Sequence, residues 1–309
     1  MALGSNQVTT AVANNFIPEL WSDEVIGAYK SNLVTANLVT KISHKGKKGD
    51  TIYIPTPNRG SASEKAANTQ VTLSAATNDK VTVSINRHFE YSKLIEDIAE
   101  VQALASMRKF YTDDAGFALA KQVDNDLTKL FETFSKTSIG VVGGTGAAMY
   151  EKAVIGSTGT TLYTGNSSNA ADITDAGIRA MILQLDDADV PFDNRVMVIP
   201  PIVASDMLGI NRFTEQQFIG SGDAIRNGKI GQIYGVDIFV SSACPTATST
   251  DRVGAMFHKD ALALAEQVGV RSQTQYKQEY LGDLFTSDTL YGTATLRHTA
   301  GVAFVVPGT

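Results

Sequence analysis

The feature that most constrains the fold of this chain is residues 50–94, a long polar stretch of extended character without a hydrophobic core of its own. Within it, residues 51–54 (TIYI) have the composition of a strand, and residues 69–85 alternate apolar and polar side chains, which is typical of strands. Residues 57–68 (PNRGSASEKAAN) between them have turn composition throughout. The pattern predicts a long β-hairpin with a polar tip, in which Pro55 ends the first strand.

Such a hairpin is at best marginally stable by itself, because two strands bury too little apolar surface to offset the entropy of ordering them. Something must therefore cover one of its faces. A neighbouring copy of the same chain can supply this cover. The arrangement indicates a subunit of a self-assembled structure, before any catalytic residue is considered.

A long amphipathic helical region is predicted directly after the hairpin, over residues 95–134. A first short apolar stripe begins at Ile95 and Ile98. The second stripe recurs every three or four residues and consists of Ala115, Leu119, Val123, Leu127, Leu130, Phe131 and Phe134. Polar residues, Asp124 and Asp126 among them, lie between the apolar positions. A continuous helix over 105–134 would be about 45 Å long, at ~1.5 Å per residue.

The remainder of the chain predicts a packed α/β part. Residues 137–171 are rich in Gly, Ser and Thr and predict an exposed loop or small hairpin. A helix is predicted next, opened by Thr174 and ended at Pro191, followed by a buried strand at 195–199 and a helix from Pro200. A polar loop at 212–229 then leads to a strand–turn–strand over 230–241 and a strand at 252–257. The last predicted elements are a short helix or turn at 259–266 and alternating strands over 267–306.

Composition excludes several classes of protein. The net charge of −6 argues against a dedicated nucleic-acid binder, which normally carries a basic excess. The sequence contains no apolar run of about 18 residues, the length that a membrane helix needs, and its first residues lack the pattern of a signal peptide. The single cysteine, Cys244, excludes an internal disulfide framework and fits a reducing cytoplasm.

The sequence motifs give no support for a catalytic, cofactor or metal site. The glycines of residues 140–149 resemble a dinucleotide fingerprint, but Met149 takes the third position and no strand–helix unit follows. The four histidines are isolated, so neither a metal nor a cofactor is expected. Cys244 has no base beside it in the sequence. The carboxylates of residues 186–189 are interpreted as a solvated helix end rather than a cation site.

Three segments lie between the N-terminus and the hairpin. Residues 1–15 are small and polar and predict an arm that is ordered by contact with a partner. A helix is predicted from Pro18, because Pro and acidic residues fill its first turn. The basic cluster at residues 44–48 is either a solvated turn or a contact for phosphate or an acidic partner.

Several sequence motifs, taken in order, resemble the major capsid proteins of tailed bacteriophages. The motifs are FIPELW from Phe16, IEDIAEVQA from Ile95, RVMVIP from Arg195, GKIGQIYGVDIFVS from Gly228, FHKDALALA from Phe257 and YGTAT from Tyr291. Each motif is diffuse. Their order and spacing are specific in combination, and they cover nearly the whole chain.

The resemblance implies an α+β fold of the Hong Kong 97 type. Its parts would be an N-terminal arm (1–49), an extended β-hairpin loop (50–94), a peripheral domain with a spine helix (95–170 and 266–309) and an axial domain (171–265). In that family the extended loop lies over an adjacent subunit, which is the cover that the hairpin requires. The axial domain surrounds the fivefold and sixfold axes.

The resemblance also implies which residues and partners matter. Inter-subunit contacts are expected from the loop charges Arg59, Glu64 and Lys65, with simple solvated charges as the alternative. Lys65 suits a cross-linking lysine, but no asparagine partner can be identified. The expected partners are further copies in hexamers and pentamers, a portal protein, and packaged DNA held without sequence specificity. The chain begins almost directly at the N-terminal arm, which predicts a separate scaffolding protein; decoration proteins are left open.

Three classes of function follow. The first is the major capsid protein of a phage, assembled in the host cytoplasm into an icosahedral head that encloses double-stranded DNA. The second is the shell of a cellular nanocompartment of the same fold, or another phage structural protein such as a tail or decoration component. The third is an enzyme with an unrecognised site, which a convergent cluster of titratable residues would support.

Overall fold

The computed structural model describes residues 34–43, 49–57, 62, 64–65, 67–71, 78–97, 107–134, 150, 153–164, 169–210, 231–247 and 250–308. Helices and strands are mixed in these residues, as the sequence predicts. The helices are α1 (Met107–Lys129), α2 (Asp175–Asp187) and α3 (Pro201–Leu208). The strands are β1 (Thr40–Ser43), β2 (Thr51–Pro57), β3 (Asn78–Ser84), β4 (Arg87–Glu96), β5 (Val154–Ile155), β6 (Arg195–Ile199), β7 (Gln232–Ile233), β8 (Val236–Val240), β9 (Arg252–His258), β10 (Leu262–Lys277), β11 (Gly282–Thr295) and β12 (Gly301–Val306).

Five sequence predictions concern segments that lie outside the described residues. They are the arm at 1–15, the helix from Pro18, the basic cluster at 44–48, the glycine-rich segment at 140–149 and the polar loop at 212–229.

The described strands form three sheets. One has six strands in the order β5–β12–β9–β6–β8–β7, one has four in the order β1–β10–β11–β4, and β2 pairs with β3 alone. Every residue of β6 and of β12 is buried, which confirms the buried strand predicted at 195–199. β7 and β8 are joined by the two-residue turn Tyr234–Gly235, where both φ angles are positive, as a tight hairpin requires.

Both short helices begin as the sequence predicts. The Thr174 hydroxyl accepts the Gly177 N–H at 3.1 Å, which satisfies a donor that the first turn of α2 leaves unpaired. α3 starts at Pro201, where the fixed φ of proline suits the first helical position.

The main hydrophobic core includes the place where the end of α1 meets the six-stranded sheet. Phe131 and Phe134 follow α1, and each ring centroid lies 5.7 Å from that of Phe257 on β9. Gly301 at the start of β12 admits the Phe134 ring, since a Cβ atom there would lie 2.6 Å from it. These rings join the long helix to the sheet.

Helix α1 confirms the second apolar stripe. Ala115, Leu119 and Leu127 are buried along its length, and Val123 is half-buried in the same row. Its 23 residues correspond to about 35 Å at ~1.5 Å per residue.

The first apolar stripe of the helical region was predicted wrongly at Ile95. This residue belongs to β4, where it is buried and pairs with Asp283 of β11. β4 pairs with β11 along all ten of its residues, so cross-strand pairing outweighs a helical spacing that only a few apolar residues supported.

The short helix or turn predicted at 259–266 is largely a strand. Only Lys259–Ala261 forms a 3₁₀ turn, and β10 begins at Leu262. Residues 263–265 are buried between β1 and β11. A strand that is buried on both faces has a continuous apolar run, which periodicity cannot distinguish from a helix.

The β2–β3 hairpin is confirmed, but Pro55 does not end its first strand. β2 continues to Pro57, with Pro55 opposite Lys80. The Ile85 N–H donates to the Asp50 carbonyl at 2.7 Å, so Asp50 and Ile85 form a hydrogen-bonded pair and such pairs recur at every second residue. In this alternating pattern Pro55 and Pro57 occupy positions that are not hydrogen-bonded to β3. Their nitrogens point away from β3, so the ladder needs no N–H group from them.

The segment predicted as an exposed loop or small hairpin contains a small hairpin, which is partly buried. The Ile155 N–H donates to the Thr161 carbonyl at 2.9 Å, and the Tyr163 N–H donates to the Ala153 carbonyl at 2.8 Å. Val154 and Ile155 form β5, which pairs with β12 in parallel, while Tyr163 lies in the main core. Its hydroxyl donates to Asp251 at 2.7 Å. Glycine, serine and threonine dominated the composition of this segment, whereas its few apolar residues determine its burial.

The division into domains stays a prediction. Two of its boundaries fall inside strands, at residue 94 in β4 and at residue 265 in β10.

Candidate inter-subunit surfaces

The β2–β3 hairpin has one face that its own subunit covers at the base. Val83 and Ile85 are buried there, in a small cluster with Ala265 of β10. Backbones approach closely at this point, because a Cβ on Gly292 of β11 would lie 2.3 Å from the Ser84 carbonyl oxygen. Further from the base, Ile54 and Val81 on the same face are only half-buried.

The opposite face of the hairpin is open. The Tyr53 side chain is 59% exposed, and the Lys80 ammonium lies 4.2 Å from its ring centroid. This cation–π contact holds the two side chains together on a surface that the described part of the subunit leaves uncovered. The face presents an aromatic ring and a positive charge to a partner.

Two of the predicted contact residues, Glu64 and Lys65, lie between β2 and β3 at the tip of this hairpin. Glu64 and Lys65 are exposed, as are the other described residues of the tip, including Val71 at 65% exposure. Arg59 lies outside the described residues. The structure therefore places two of the three charges on the exposed tip, and the role of all three stays a prediction.

A second exposed surface, missed in the sequence, lies at the far end of the four-stranded sheet. Tyr276, Tyr280 and Leu281 are 46%, 62% and 65% exposed around the turn between β10 and β11. The signal was available, since aromatic and apolar residues are unusual in a turn that otherwise reads as polar (KQEYLGD).

A triad of polar side chains connects the three long strands of this sheet. The Arg271 guanidinium on β10 donates two hydrogen bonds, at 2.7 and 2.8 Å, to the Asp288 carboxylate on β11. His88 Nε2 on β4 lies 3.0 Å from the same carboxylate. The hydrogen bond from Arg271, followed by that from His88, lowers the pKa of Asp288 to about 2.

This depressed pKa predicts a pH dependence of stability. Between pH ~4 and pH ~2 the unfolded chain binds a proton at Asp288 that the folded chain does not, so stability falls as the pH is lowered through this window. Wild type should be more stable than Asp288→Asn at pH 5, and the difference should shrink towards zero at pH 2. Urea denaturation of both proteins at each pH measures it. A difference that is unchanged over this window would contradict the triad, and Asp187→Asn at an exposed position serves as the control.

The long helix is fastened by carboxylates that were expected only to separate its apolar positions. Asp126 is buried and accepts hydrogen bonds from the Tyr291 hydroxyl at 2.7 Å and from Gln122 at 3.1 Å. The Arg87 guanidinium lies 3.0 Å from its Oδ1 atom. Asp126 therefore connects α1 to both β4 and β11.

A second buried carboxylate holds the segment that leads into β1. Asp124 Oδ1 accepts the backbone N–H of Thr35 at 2.8 Å and that of Ala36 at 3.3 Å. Burial raises the pKa of Asp124, and the hydrogen bonds from Thr35 and Ala36 oppose the rise. Near the other end of α1, Asp114 accepts the Tyr91 hydroxyl of β4 at 3.0 Å.

The described residues offer little for catalysis. Burial raises the pKa of Cys244 to about 12, so its thiol is neutral and unreactive. The described residues contain no cluster of three or more His, Cys, Asp or Glu side chains that could hold a metal ion. Among the described helices, none combines the length and the apolar character that a membrane crossing requires.

The remaining described histidines make structural contacts. His258 Nδ1 accepts the Asp260 N–H at 3.2 Å and caps a 3₁₀ turn. His298 was expected in a strand but lies in the 3₁₀ turn His298–Ala300, with its Nδ1 atom 3.2 Å from the Thr133 carbonyl oxygen. Asp186 is only partly solvated, because it forms an ion pair at 2.7 Å with the buried Arg195.

Comparison with known proteins finds the same fold in phage particles. A family model described as phage capsid protein matches residues 21–302. A chain from Mycobacterium phage Che8 superimposes with a TM-score of 0.74 at 25% identity, covering 94% of this chain and 97% of that one. The capsid of cyanophage P-SCSP1u gives a TM-score of 0.74 at 18% identity, covering 99% and 97%. The capsid of cyanophage Pam1 gives 0.71 at 14% identity, covering 99% of each chain. The search of curated protein sequences gives no significant match.

Proposed function

Because this chain belongs to the phage capsid protein family, we infer that its copies assemble into a phage head in which the β2–β3 hairpin of each copy lies on a neighbour. The protein is a major capsid protein, a structural component of the virion. The observation that carries the inference is the uneven cover of the hairpin. Val83 at its base is fully buried, whereas Tyr53 is 59% exposed and Val71 in the loop is 65% exposed.

The finer architecture that we propose is that of the Hong Kong 97 type. α1 would be the spine helix of the peripheral domain (95–170 and 266–309), and the six-stranded sheet with α2 and α3 would form most of the axial domain (171–265). The length of α1 and its attachment to β4 and β11 through Asp126 support its role as a strut.

The contacts that we propose for the loop are electrostatic. Glu64 and Lys65 are exposed and adjacent, so they can meet opposite charges on another copy without losing an internal partner that the described residues supply. Arg59 would act with them. Each contact would be weak, since exposed ion pairs contribute about 0–1 kcal/mol, but a shell repeats it in every subunit.

The partners that we propose rest on the family alone. They are further copies in hexamers and pentamers, a separate scaffolding protein during assembly in the host cytoplasm, a portal protein, and packaged double-stranded DNA held without sequence specificity. The net charge of −6 fits a shell that encloses DNA without gripping it. The family match favours this reading over a nanocompartment shell, a tail or decoration component, or an enzyme.

The proposed role of the hairpin is tested by removing its tip while keeping the pairing between β2 and β3. Replacing residues 57–78 with Asn-Gly joins Thr56 to Asp79, a hydrogen-bonded pair on the alternation above, through a two-residue turn. We expect a folded, soluble subunit with an unchanged circular dichroism spectrum that forms no closed particles by electron microscopy. Closed shells of normal size from this variant would overturn the proposal.

A second variant tests the charges of the loop separately from its length. Arg59→Ala, Glu64→Ala and Lys65→Ala together keep the length of the loop and remove its charges. A lower yield of particles is expected, with a stronger dependence on salt for wild type than for the variant. If the triple variant assembles as wild type does, the three residues are solvated charges and only the reach of the loop matters.

A further inference from the structure

Among the described residues, the outer edge of β10 is bare over its far half, where no strand pairs with it. β1 pairs with β10 only at residues 263–266, and beyond that point β11 is its one neighbour among the described residues. Residues 270–276 are all exposed. From Arg271 to Lys277 the pairing with β11 is regular, which leaves a straight edge of about 20 Å, at ~3.3 Å per residue.

The backbone groups that face outward on this edge can be assigned. The Asp97 N–H donates to the Leu281 carbonyl at 3.0 Å, so the odd-numbered residues at this end of β11 face β4. The even-numbered residues then face β10, where Thr286 pairs with Gln273 and Leu284 with Gln275. The N–H and C=O groups of Ser272, Thr274 and Tyr276 consequently point away from the sheet.

The outer edge of β2 carries protection that this edge lacks. Pro55 and Pro57 place two nitrogens without hydrogens on the outer side of β2. Proteins normally blunt an exposed edge with proline, bulges or unpaired charge, and the register shifts of β10 occur only between Glu266 and Arg271.

The charge on this edge does not oppose pairing. Arg271 is the one charged residue from 270 to 276, and Asp288 neutralises it within the sheet. The other side chains there are hydroxyls, amides, Val270 and Tyr276, which suit a strand. A second strand can approach without meeting like charges.

We propose that Ser272–Tyr276 pairs, by main-chain hydrogen bonds, with an extended strand of a second copy of this chain. The inference rests on the shell function, since a head subunit meets many copies of itself. Such strand addition takes its affinity from the backbone and its specificity from alternate side chains. It makes the four-stranded sheet continuous between subunits.

Proline substitutions test the pairing because they remove one N–H at a time. Thr274→Pro removes an outward N–H at an edge, so the subunit should stay folded with a melting temperature close to that of wild type. Its particle yield should fall, because the loss of one hydrogen bond weakens each contact by about two- to tenfold. Thr274→Val keeps the N–H and should assemble as wild type. Gln275→Pro removes an N–H that β11 uses, and should destabilise the free subunit itself.

Hydrogen exchange provides a second measurement that does not depend on a variant folding. In wild-type particles the amides of residues 272, 274 and 276 should exchange at least about a hundredfold more slowly than in the free subunit. Normal assembly of Thr274→Pro, equal exchange in both states, or protection already present in the free subunit would each overturn the pairing. Absence of particles from wild type, with scaffolding protein supplied, would instead overturn the shell function.

Discussion

Replacing Phe257 with alanine is expected to lower the free energy of unfolding by about 3–5 kcal/mol, the range for large aromatic truncations in a core. Phe257 is fully buried, and its ring lies 5.7 Å from both Phe131 and Phe134. The neighbouring strands are fixed by their ladders, so they cannot close the cavity that alanine would leave. The variant should therefore lose stability mainly where α1 joins the six-stranded sheet.

The size of the remaining side chain provides the control. Phe257→Leu keeps most of the apolar volume and should cost about 1–1.5 kcal/mol. Urea denaturation followed by circular dichroism measures both variants, and hydrogen exchange read by mass spectrometry compares the amides of α1 with those of β9. If alanine costs no more than leucine, the three rings do not form the junction. A loss of amide protection in α1 before β9 would show that α1 detaches first.

Hydrophobic periodicity was sufficient where one face of an element is buried in its own subunit. The second stripe of α1 and the continuous run of β6 were both predicted, because Leu127 and Val198 have neighbours within the same chain that select their positions. The hairpin was predicted from a different signal. Its residues alternate as in a strand, but the rest of the subunit offers them little apolar surface to pack against.

Periodicity failed where pairing partners are far away in the sequence. Ile95 and Leu262 lie in strands because β11 runs beside both of them. No local pattern records that neighbour. The carboxylates of α1 were missed for a related reason, since burial of Asp126 becomes tolerable only once Tyr291 and Arg87 reach it.

The candidate surfaces were predictable only in part. Turn composition identified the hairpin tip, including Glu64 and Lys65. The bare edge of β10 could not be predicted from the sequence. Residues such as Ser272 and Thr274 occur both in strands at the edge of a sheet and in strands that are paired on both sides. An open edge is a property of the sheet order.

Removing the Asp126 carboxylate is expected to loosen the attachment of the long helix to the sheet beneath it. Asp126→Ala should cost about 2–4 kcal/mol, because it leaves the buried Tyr291 hydroxyl without its acceptor and separates an ion pair. This loss of unfolding free energy is smaller than for a fully buried ion pair, because the Arg87 side chain is 38% exposed and water can hydrate its guanidinium once the carboxylate is gone. Asp126→Asn should cost less, since the amide oxygen still accepts from Tyr291.

A double-mutant cycle isolates this contact from the general effect of altering the helix. Combining Asp126→Ala with Tyr291→Phe should give a coupling energy of about 0.5–3 kcal/mol, measured by urea denaturation. Coupling near zero would mean that the two residues only lie beside each other. Because Arg87 follows Ile85 at the base of the hairpin by two residues, Asp126→Ala should also reduce the yield of particles under conditions where the subunit remains folded. A normal yield would show that the hairpin is positioned by its contact with β11 at Gly292 rather than by the helix.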